Sequence, residues 1–351
     1  MIKFDKVQQL IERENLDALL VMNGYNRRYL SNFTGSSGAL VITPKGRYLI
    51  SDFRYKAQGA EQAQDFEFVL QQGSLLDFTA SFMKSKNIKR IGFEGEHVNY
   101  NTYSRIKEDF DTVPLTGEVE KIRLIKTEAE LDLIQKACEI ADQSYEYILT
   151  FVKAGMTELE VKNELEAYMT KLGASGPSFD TIVASGHRGA LPHGVASDKV
   201  IESGDMVTLD FGAYYQGYAS DITRTFGVGS VSPEMEKIYN VVLESQLKAL
   251  DEIKAGMSGK EADAVARDVI SAHGYGDNFG HSLGHGFGLE VHELPGLAQK
   301  STMTLEPGMC VTVEPGIYVD GLGGVRIEDD TLVTESGLKK LTHSSKKLFI
   351  V

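Results

Sequence analysis

Glu202-Ser-Gly-Asp-Met-Val-Thr-Leu-Asp-Phe-Gly-Ala-Tyr214 returns 104 residues later as Glu306-Pro-Gly-Met-Cys-Val-Thr-Val-Glu-Pro-Gly-Ile-Tyr318. The stretches share Glu202/Glu306, Gly204/Gly308, Val207/Val311, Thr208/Thr312, Gly212/Gly316 and Tyr214/Tyr318, and Asp210 is exchanged for Glu314. Upstream, Ala154-Gly-Met-Thr157 matches Ala255-Gly-Met-Ser258 at an offset of 101, which also relates Glu160 to Glu261 and Gly173 to Gly274. Chance likeness of glycine-rich turns does not extend to six identities and an acid-for-acid exchange in 13 residues. A period near 100 is too long for a stacked solenoid. It describes two similar halves about a pseudo-two-fold axis, each giving helices and then a hairpin.

Each hairpin carries two carboxylates. Asp210 and Asp221 are equidistant from a two-residue turn at Tyr215-Gln216, and Glu314 and Glu328 are equidistant from Gly321 in Val319-Asp-Gly-Leu-Gly-Gly324. Residues directly opposite in an antiparallel pair share a face, with Cβ atoms about 4.5–5.5 Å apart. Apolar neighbours (Val207, Leu209, Val311, Val313, Val325, Ile327) place these strands in a core. Carboxylates paired there repel, because burial and like charge both disfavour ionisation. Protonation would require several protons at once; two divalent cations match four negative charges. Five of the eight histidines cluster in glycine-rich stretches, His187 and His193 in one and His281, His285 and His292 in the other. His281 and His285 have the spacing of helical zinc ligands, but the Glu of H-E-x-x-H is missing. Gly280, Gly284, Gly286 and Gly288 also argue for loop and strand there. Any one of these histidines, taken alone, is as well explained by a structural hydrogen bond.

Around this core the chain reads as a two-domain protein of 351 residues. Residues 1–120 form a small α/β unit: an amphipathic helix from Lys6, a strand at Ala18-Leu-Leu-Val-Met22 and a hairpin around Pro44-Lys-Gly-Arg47. A helix over Ser74–Ser85 and a strand at Ile91-Gly-Phe-Glu94 complete it. Leu115-Thr-Gly-Glu-Val-Glu-Lys-Ile-Arg123 has no clear periodicity, so a linker is placed at 121–127 and a catalytic domain at 128–351. Thr127 is the expected N-cap of the first long helix there. With 36 basic against 50 acidic residues and no basic stretch, the net charge of −14 excludes a nucleic-acid partner. No apolar run reaches the roughly 18–20 residues of a membrane span, and the charged N-terminus is not a signal peptide. Cys138 and Cys310 read as buried thiols in a reducing cytoplasm.

From Arg123 to the C-terminus the sequence resembles the metallopeptidases of the "pita-bread" fold, which include methionine aminopeptidase, aminopeptidase P and prolidase. The family's metal ligands, two Asp, one His and two Glu in chain order, match five positions here. They are Asp210 in Leu-Asp-Phe-Gly, Asp221 in Ser-Asp-Ile-Thr, His285 in Gly-His-Gly-Phe-Gly, Glu314 in Val-Glu-Pro-Gly and Glu328 in Arg-Ile-Glu-Asp. His193 and His292 resemble the catalytic histidines beside the metals, and Arg326 an arginine supporting a ligand in proline-specific members. The α/β unit, with Thr34-Gly-Ser-Ser-Gly38 and Ser51-Asp-Phe-Arg-Tyr55, is similar to the amino-terminal domain of creatinase and the proline-specific branch. The implied fold is α+β, a small creatinase-like α/β domain plus a pseudo-two-fold pita-bread domain.

The resemblance implies hydrolysis of the bond between an N-terminal residue and proline. Two divalent cations are expected, Mn²⁺ first for this oxygen-rich set and Co²⁺, Fe²⁺ or Zn²⁺ after it. Glu314 is the expected general base, His292 the group on the substrate carbonyl and His193 the group on the proline side. His281 and Phe179 are expected to touch substrate, with Ile182 helping Phe179 to line a proline pocket. Aminopeptidase P activity on longer peptides is favoured slightly over prolidase activity, and a homodimer is implied. The competing readings are a creatinase-type non-metal hydrolase, disfavoured by the complete ligand set, and a non-catalytic peptide-binding module on the same fold.

Overall fold

Ser or Thr followed three residues later by Glu marks three helix starts in the second part of the chain. Each is closed by a capping box in the computed structural model, which describes residues 2–351. The chain divides into two compact units at Arg123/Leu124.

In the first unit, β1 (Ala18–Val21), β2 (Ala39–Ile42), β3 (Arg47–Ser51), β4 (Glu67–Leu70), β5 (Arg90–Glu94) and β6 (Asp111–Leu115) form one sheet in the order β4-β3-β2-β1-β5-β6. The helices are α1 (Ile2–Arg13), α2 (Gly24–Ser31), α3 (Lys56–Gln62), α4 (Leu75–Ser85), α5 (Tyr100–Lys107) and α6 (Glu118–Ile122). β1 shows why its sequence is apolar throughout: Leu19 and Val21 enter one core cluster, Ala18 and Leu20 the other. The stretch read as aperiodic holds a short helix. Residues 118–122 are helical, with Val119 and Ile122 in the first unit's core, while Leu124 and Ile125 pack into a core of the second unit. Helix α6 is a single turn, too short to display a period.

The second unit contains α7 (Glu128–Phe151), α8 (Glu158–Lys171), β7 (Gly176–Pro177), β8 (Ile182–Ser185), β9 (Met206–Phe211), β10 (Ala213–Tyr215), β11 (Tyr218–Ala219) and β12 (Ile222–Gly227). It continues through α9 (Pro233–Glu252), α10 (Gly259–Ala272), β13 (Gly284–Gly286), β14 (Glu293–Leu297), β15 (Cys310–Val313), β16 (Gly316–Val319), β17 (Gly323–Arg326), β18 (Asp329–Thr334) and β19 (Gly337–Lys340). The internal repeat is physical. Thr157 and Ser258 cap α8 and α10. Gly155 N–H donates to Ile201 O at 2.8 Å and Gly256 N–H to Leu305 O at 2.9 Å. The duplicated glycines hold the same left-handed backbone, φ +94° and +91° at Gly155 and Gly256, a conformation that disfavours any side chain. Behind the hairpins, Arg224 and Asp329 form a fully buried ion pair at 2.7 Å, extended by Lys346 and Gln246 on Asp329.

One register differs from expectation. β9 pairs with β12 so that Asp210 faces Thr223, and Tyr215 faces Tyr218, so Asp221 is not opposite Asp210. The turn is Gln216-Gly217, with φ of +46° and +81°. Such a turn needs positive φ at both central positions, and only this choice puts the glycine in one. A two-residue displacement keeps every side chain on its face, so both aspartates still point the same way. The second hairpin keeps the expected register, with Val313 opposite Asp329 and Gly316 opposite Arg326 on either side of Glu314 and Glu328. Both cysteines are free and buried, and among the described residues no helix is long and apolar enough to cross a membrane.

Ser258→Ala removes the α10 cap and should cost about 1 kcal/mol in denaturant unfolding, whereas Ser258→Gly should cost only a few tenths.

Candidate active site

Four strand ends and one bulged strand converge on a cavity of about 460 Å³, within the range of small-ligand pockets. Asp210 comes from the end of β9, Asp221 from the residue before β12, Glu314 from the residue after β15 and Glu328 from the two-residue step between β17 and β18. His285 lies in β13, where the pairing with β14 slips between His285 and Gly286. All five line the cavity, together with His193, His281, His292, Phe179, Ile182 and Arg326. Every residue expected at the site is therefore in one place. His187, the remaining histidine of the glycine-rich stretches, is exposed and does not line it.

The carboxylates are held by few donors. Asp210 Oδ2 accepts from Arg326 Nη2 at 2.5 Å, Glu328 Oε2 from Thr223 Oγ1 at 2.7 Å and Glu314 Oε1 from Thr312 Oγ1 at 3.1 Å. Asp210 Oδ1 and Glu328 Oε1 are buried without a partner. One oxygen each from Asp210, Asp221 and Glu328 lie within 4.8 Å of one another. Among the described residues, Arg326 is the single fixed cation lining the cavity. Burial, and then the negative neighbours, push Asp221 and Glu328 well above the usual carboxylate range. Burial pushes Glu314 up to about 8, with Arg326 opposing.

His285 makes the charge deficit explicit. Burial, reinforced by His292, pushes its pKa down to about 4, so the ring is neutral. Its Nδ1 lies 3.0 Å from Gly286 O, a pure acceptor, and therefore carries the proton. Nε2 is then a bare lone pair, 3.3 Å from Glu314 Oε1 and 3.6 Å from Asp221 Oδ2. Lone pairs facing lone pairs at that distance, beside orphaned carboxylate oxygens, fit an intervening divalent cation.

His292 stands at the mouth, its ring centroid 4.1 Å from that of His285, and His193 is exposed nearby on the 3₁₀ turn–loop that follows β8. His281 is placed differently from a free substrate donor. Its Nδ1 lies 2.7 Å from Ser282 O, and its Nε2 accepts from Tyr318 Oη at 2.8 Å. Tyr318 Oη in turn accepts from Arg326 Nη1 at 2.6 Å, and burial pushes the phenol up to about 12. The chain His281–Tyr318–Arg326–Asp210 aims the last carboxylate.

Thr223, Thr312, Tyr318 and Asp330 escaped sequence reading. Asp330 Oδ2 accepts the backbone N–H of Asp221 at 2.8 Å. Tyr318 and Thr312 were members of the duplicated stretch and Thr223 of the Ser-Asp-Ile-Thr motif, which were the available signals; Asp330 had none. Thr223→Val keeps the shape but strands Arg326 Nε, which donates to Thr223 Oγ1 at 3.1 Å. It should lower unfolding free energy by about 1–3 kcal/mol, read from a urea titration.

Residues 132–335 match the metallopeptidase family M24 and residues 3–125 the creatinase/prolidase N-terminal domain. The chain is 52% identical to the uncharacterised peptidase YqhT of Bacillus subtilis over the whole of both proteins. It is 40% identical to the Xaa-Pro dipeptidase of Pyrococcus furiosus, covering 99% of each. Among solved structures, the Xaa-Pro dipeptidase from Bacillus anthracis superposes with a TM-score of 0.97 at 52% identity, covering 99% of each chain.

Proposed function

The chain belongs to metallopeptidase family M24, and on that footing we propose that it cleaves Xaa-Pro dipeptides, with two divalent cations held by Asp210, Asp221, His285, Glu314 and Glu328. The observation that carries the proposal is the bare His285 Nε2 facing carboxylate oxygens at 3.3 and 3.6 Å. The Xaa-Pro dipeptidase names of close relatives move the preferred substrate from longer peptides to dipeptides. Mn²⁺ is the preferred ion, because eight carboxylate oxygens and one imidazole form a hard, oxygen-rich set.

When bound, such cations supply the charge that lowers a water's pKa and polarises the scissile carbonyl. The protein's own residues do the rest. Arg326 ties up Asp210 Oδ2 and leaves Oδ1 free for the site. Glu314 takes a proton from the attacking water and delivers it to the proline nitrogen as the C–N bond breaks, releasing the first residue and proline. His292 donates to the scissile carbonyl as it gains charge, and His193 holds the proline side. Phe179 and Ile182 give the proline ring an apolar wall. His281 acts through Tyr318 and Arg326 rather than on substrate. A homodimer in the cytoplasm completes the proposal, the latter supported by two free buried thiols.

Exhaustive chelation should abolish hydrolysis of an Xaa-Pro dipeptide, and Mn²⁺ should restore it. Activity persisting in protein shown metal-free by elemental analysis would refute the metal assignment. Glu314→Ala should lower kcat by about 10²–10⁴-fold in a folded protein. An Xaa-Pro dipeptide should exceed the matching Xaa-Pro-Xaa tripeptide in kcat/KM by at least about tenfold. The reverse order would return the assignment to an aminopeptidase.

A further inference from the structure

Glu158 is the first residue of α8 and is wholly buried, yet it takes no part in capping, which belongs to Thr157 and Glu160. Its carboxylate instead gathers both stems of the loop that carries His193. Oε1 accepts from Ser185 N–H at 2.8 Å and Ser185 Oγ at 2.9 Å; Oε2 accepts from Ser197 N–H at 3.0 Å and Ser197 Oγ at 2.7 Å. Arg188 adds a short ion pair to Oε2 and sends its other nitrogen 2.8 Å to Val195 O, spanning His193 from one side to the other. Beneath, the 3₁₀ turn Gly186–Ala190 lies backbone to backbone on β17, where a Cβ on Gly189 would meet Gly324 N at 3.0 Å.

The internal repeat shows that this carboxylate is not a requirement of the fold. Glu158 N–H donates to Lys199 O and Leu159 N–H to Ser197 O; in the other half Gly259 N–H donates to Met303 O and Lys260 N–H to Ser301 O. Gly259 is thus the counterpart of Glu158, and there the space is filled by the Gly296 carbonyl, 2.1 Å from where a Cβ would sit. The same helix start forms with or without the acid. The other half also brings a histidine, His292, to the cavity mouth; what differs is that the stems of the His193 loop are gathered on the buried Glu158 carboxylate and spanned by Arg188.

We propose that Glu158 and Arg188 form a latch that positions His193 against the substrate. The inference rests on the reading of His193 as a substrate-contacting residue. Arg188 is the accessible member, its side chain 19% exposed, and the better site for a test. In Mn²⁺-loaded enzyme, Arg188→Ala should raise KM for an Xaa-Pro dipeptide by about tenfold, with kcat within about threefold and metal content unchanged. Arg188→Lys, which can reach Glu158 without spanning to Val195, should recover part of the loss. Combined with His193→Ala, Arg188→Ala should add nothing, because a latch has no effect without the residue it holds. Wild-type KM in Arg188→Ala, or losses that multiply in the double variant, would overturn the latch. An unchanged kcat/KM in His193→Ala alone would overturn the substrate role of His193, and the latch with it. Equal loss of metal and kcat in Arg188→Ala would make the pair merely structural and also overturn it.

Discussion

Four carboxylates share one buried seam with a single guanidinium, and the second unit is arranged around that repulsion. Two unit charges about 4 Å apart cost about 4 kcal/mol at an effective dielectric of 20. A few such contacts rival the whole stability of a domain, about 5–15 kcal/mol. Hydroxyls from Thr223 and Thr312 and the Arg326 fork relieve part of it, one oxygen at a time. The oxygens left over, Asp210 Oδ1 and Glu328 Oε1, are those a cation must satisfy. Without one, protons are the remaining compensation, which is the physical content of the raised carboxylate pKa values.

The consecutive acids Glu328-Asp-Asp330 show how one strand separates chemistry from structure. Side chains alternate between faces along a strand. Glu328 and Asp330 therefore look toward the site, one at the carboxylate cluster and the other at the Asp221 N–H. Asp329 looks away and is bonded by Arg224, Gln246 and Lys346. Burial pushes against its charge, but Arg224 and Lys346 overcome it and hold Asp329 below the usual carboxylate range. Neighbours in sequence thus face opposite electrostatic surroundings, and charge count alone would not tell them apart.

What was legible in the sequence follows from what is local or repeated. Thr127 announces its helix because a capping box is complete within four residues; Thr157 and Ser258, legible as members of the repeat, close the same box in the structure. The Glu314/Glu328 register was legible because Gly321 sits at the centre of its loop, with φ +75°. The first hairpin was misread by two residues because Tyr215-Gln-Gly-Tyr218 offers two turn placements, and backbone handedness chooses between them. The single-turn helix Glu118–Ile122 was hidden by its length. The supports of the site were hidden for another reason. Thr223 to Glu328 and Glu158 to Ser197 are contacts made across the fold, and nothing local to either partner announces them, whereas Arg326 was named as a ligand's support through the family resemblance.

The duplication itself explains the fully buried Arg224–Asp329 ion pair. Leu209 and Val313 are counterparts in the repeat; Leu209 faces Arg224, and Val313 faces Asp329. Arg224 and Asp329 therefore occupy the same place in the two halves, and they touch each other at 2.7 Å. So do Thr223 and Glu328 one step along, through both side chain and backbone. Residues related by a two-fold axis meet only beside it, so these pairs mark the pseudo-axis. An exact repeat would set like against like there, two arginines or two aspartates, which a buried site does not tolerate. Divergence into Arg and Asp turns the worst consequence of symmetry into a bond between the halves. Divergence into Thr and Glu places a neutral donor against a carboxylate, where a second acid would have deepened the repulsion. The two halves hold together, and hold a site, because they stopped being identical where they touch.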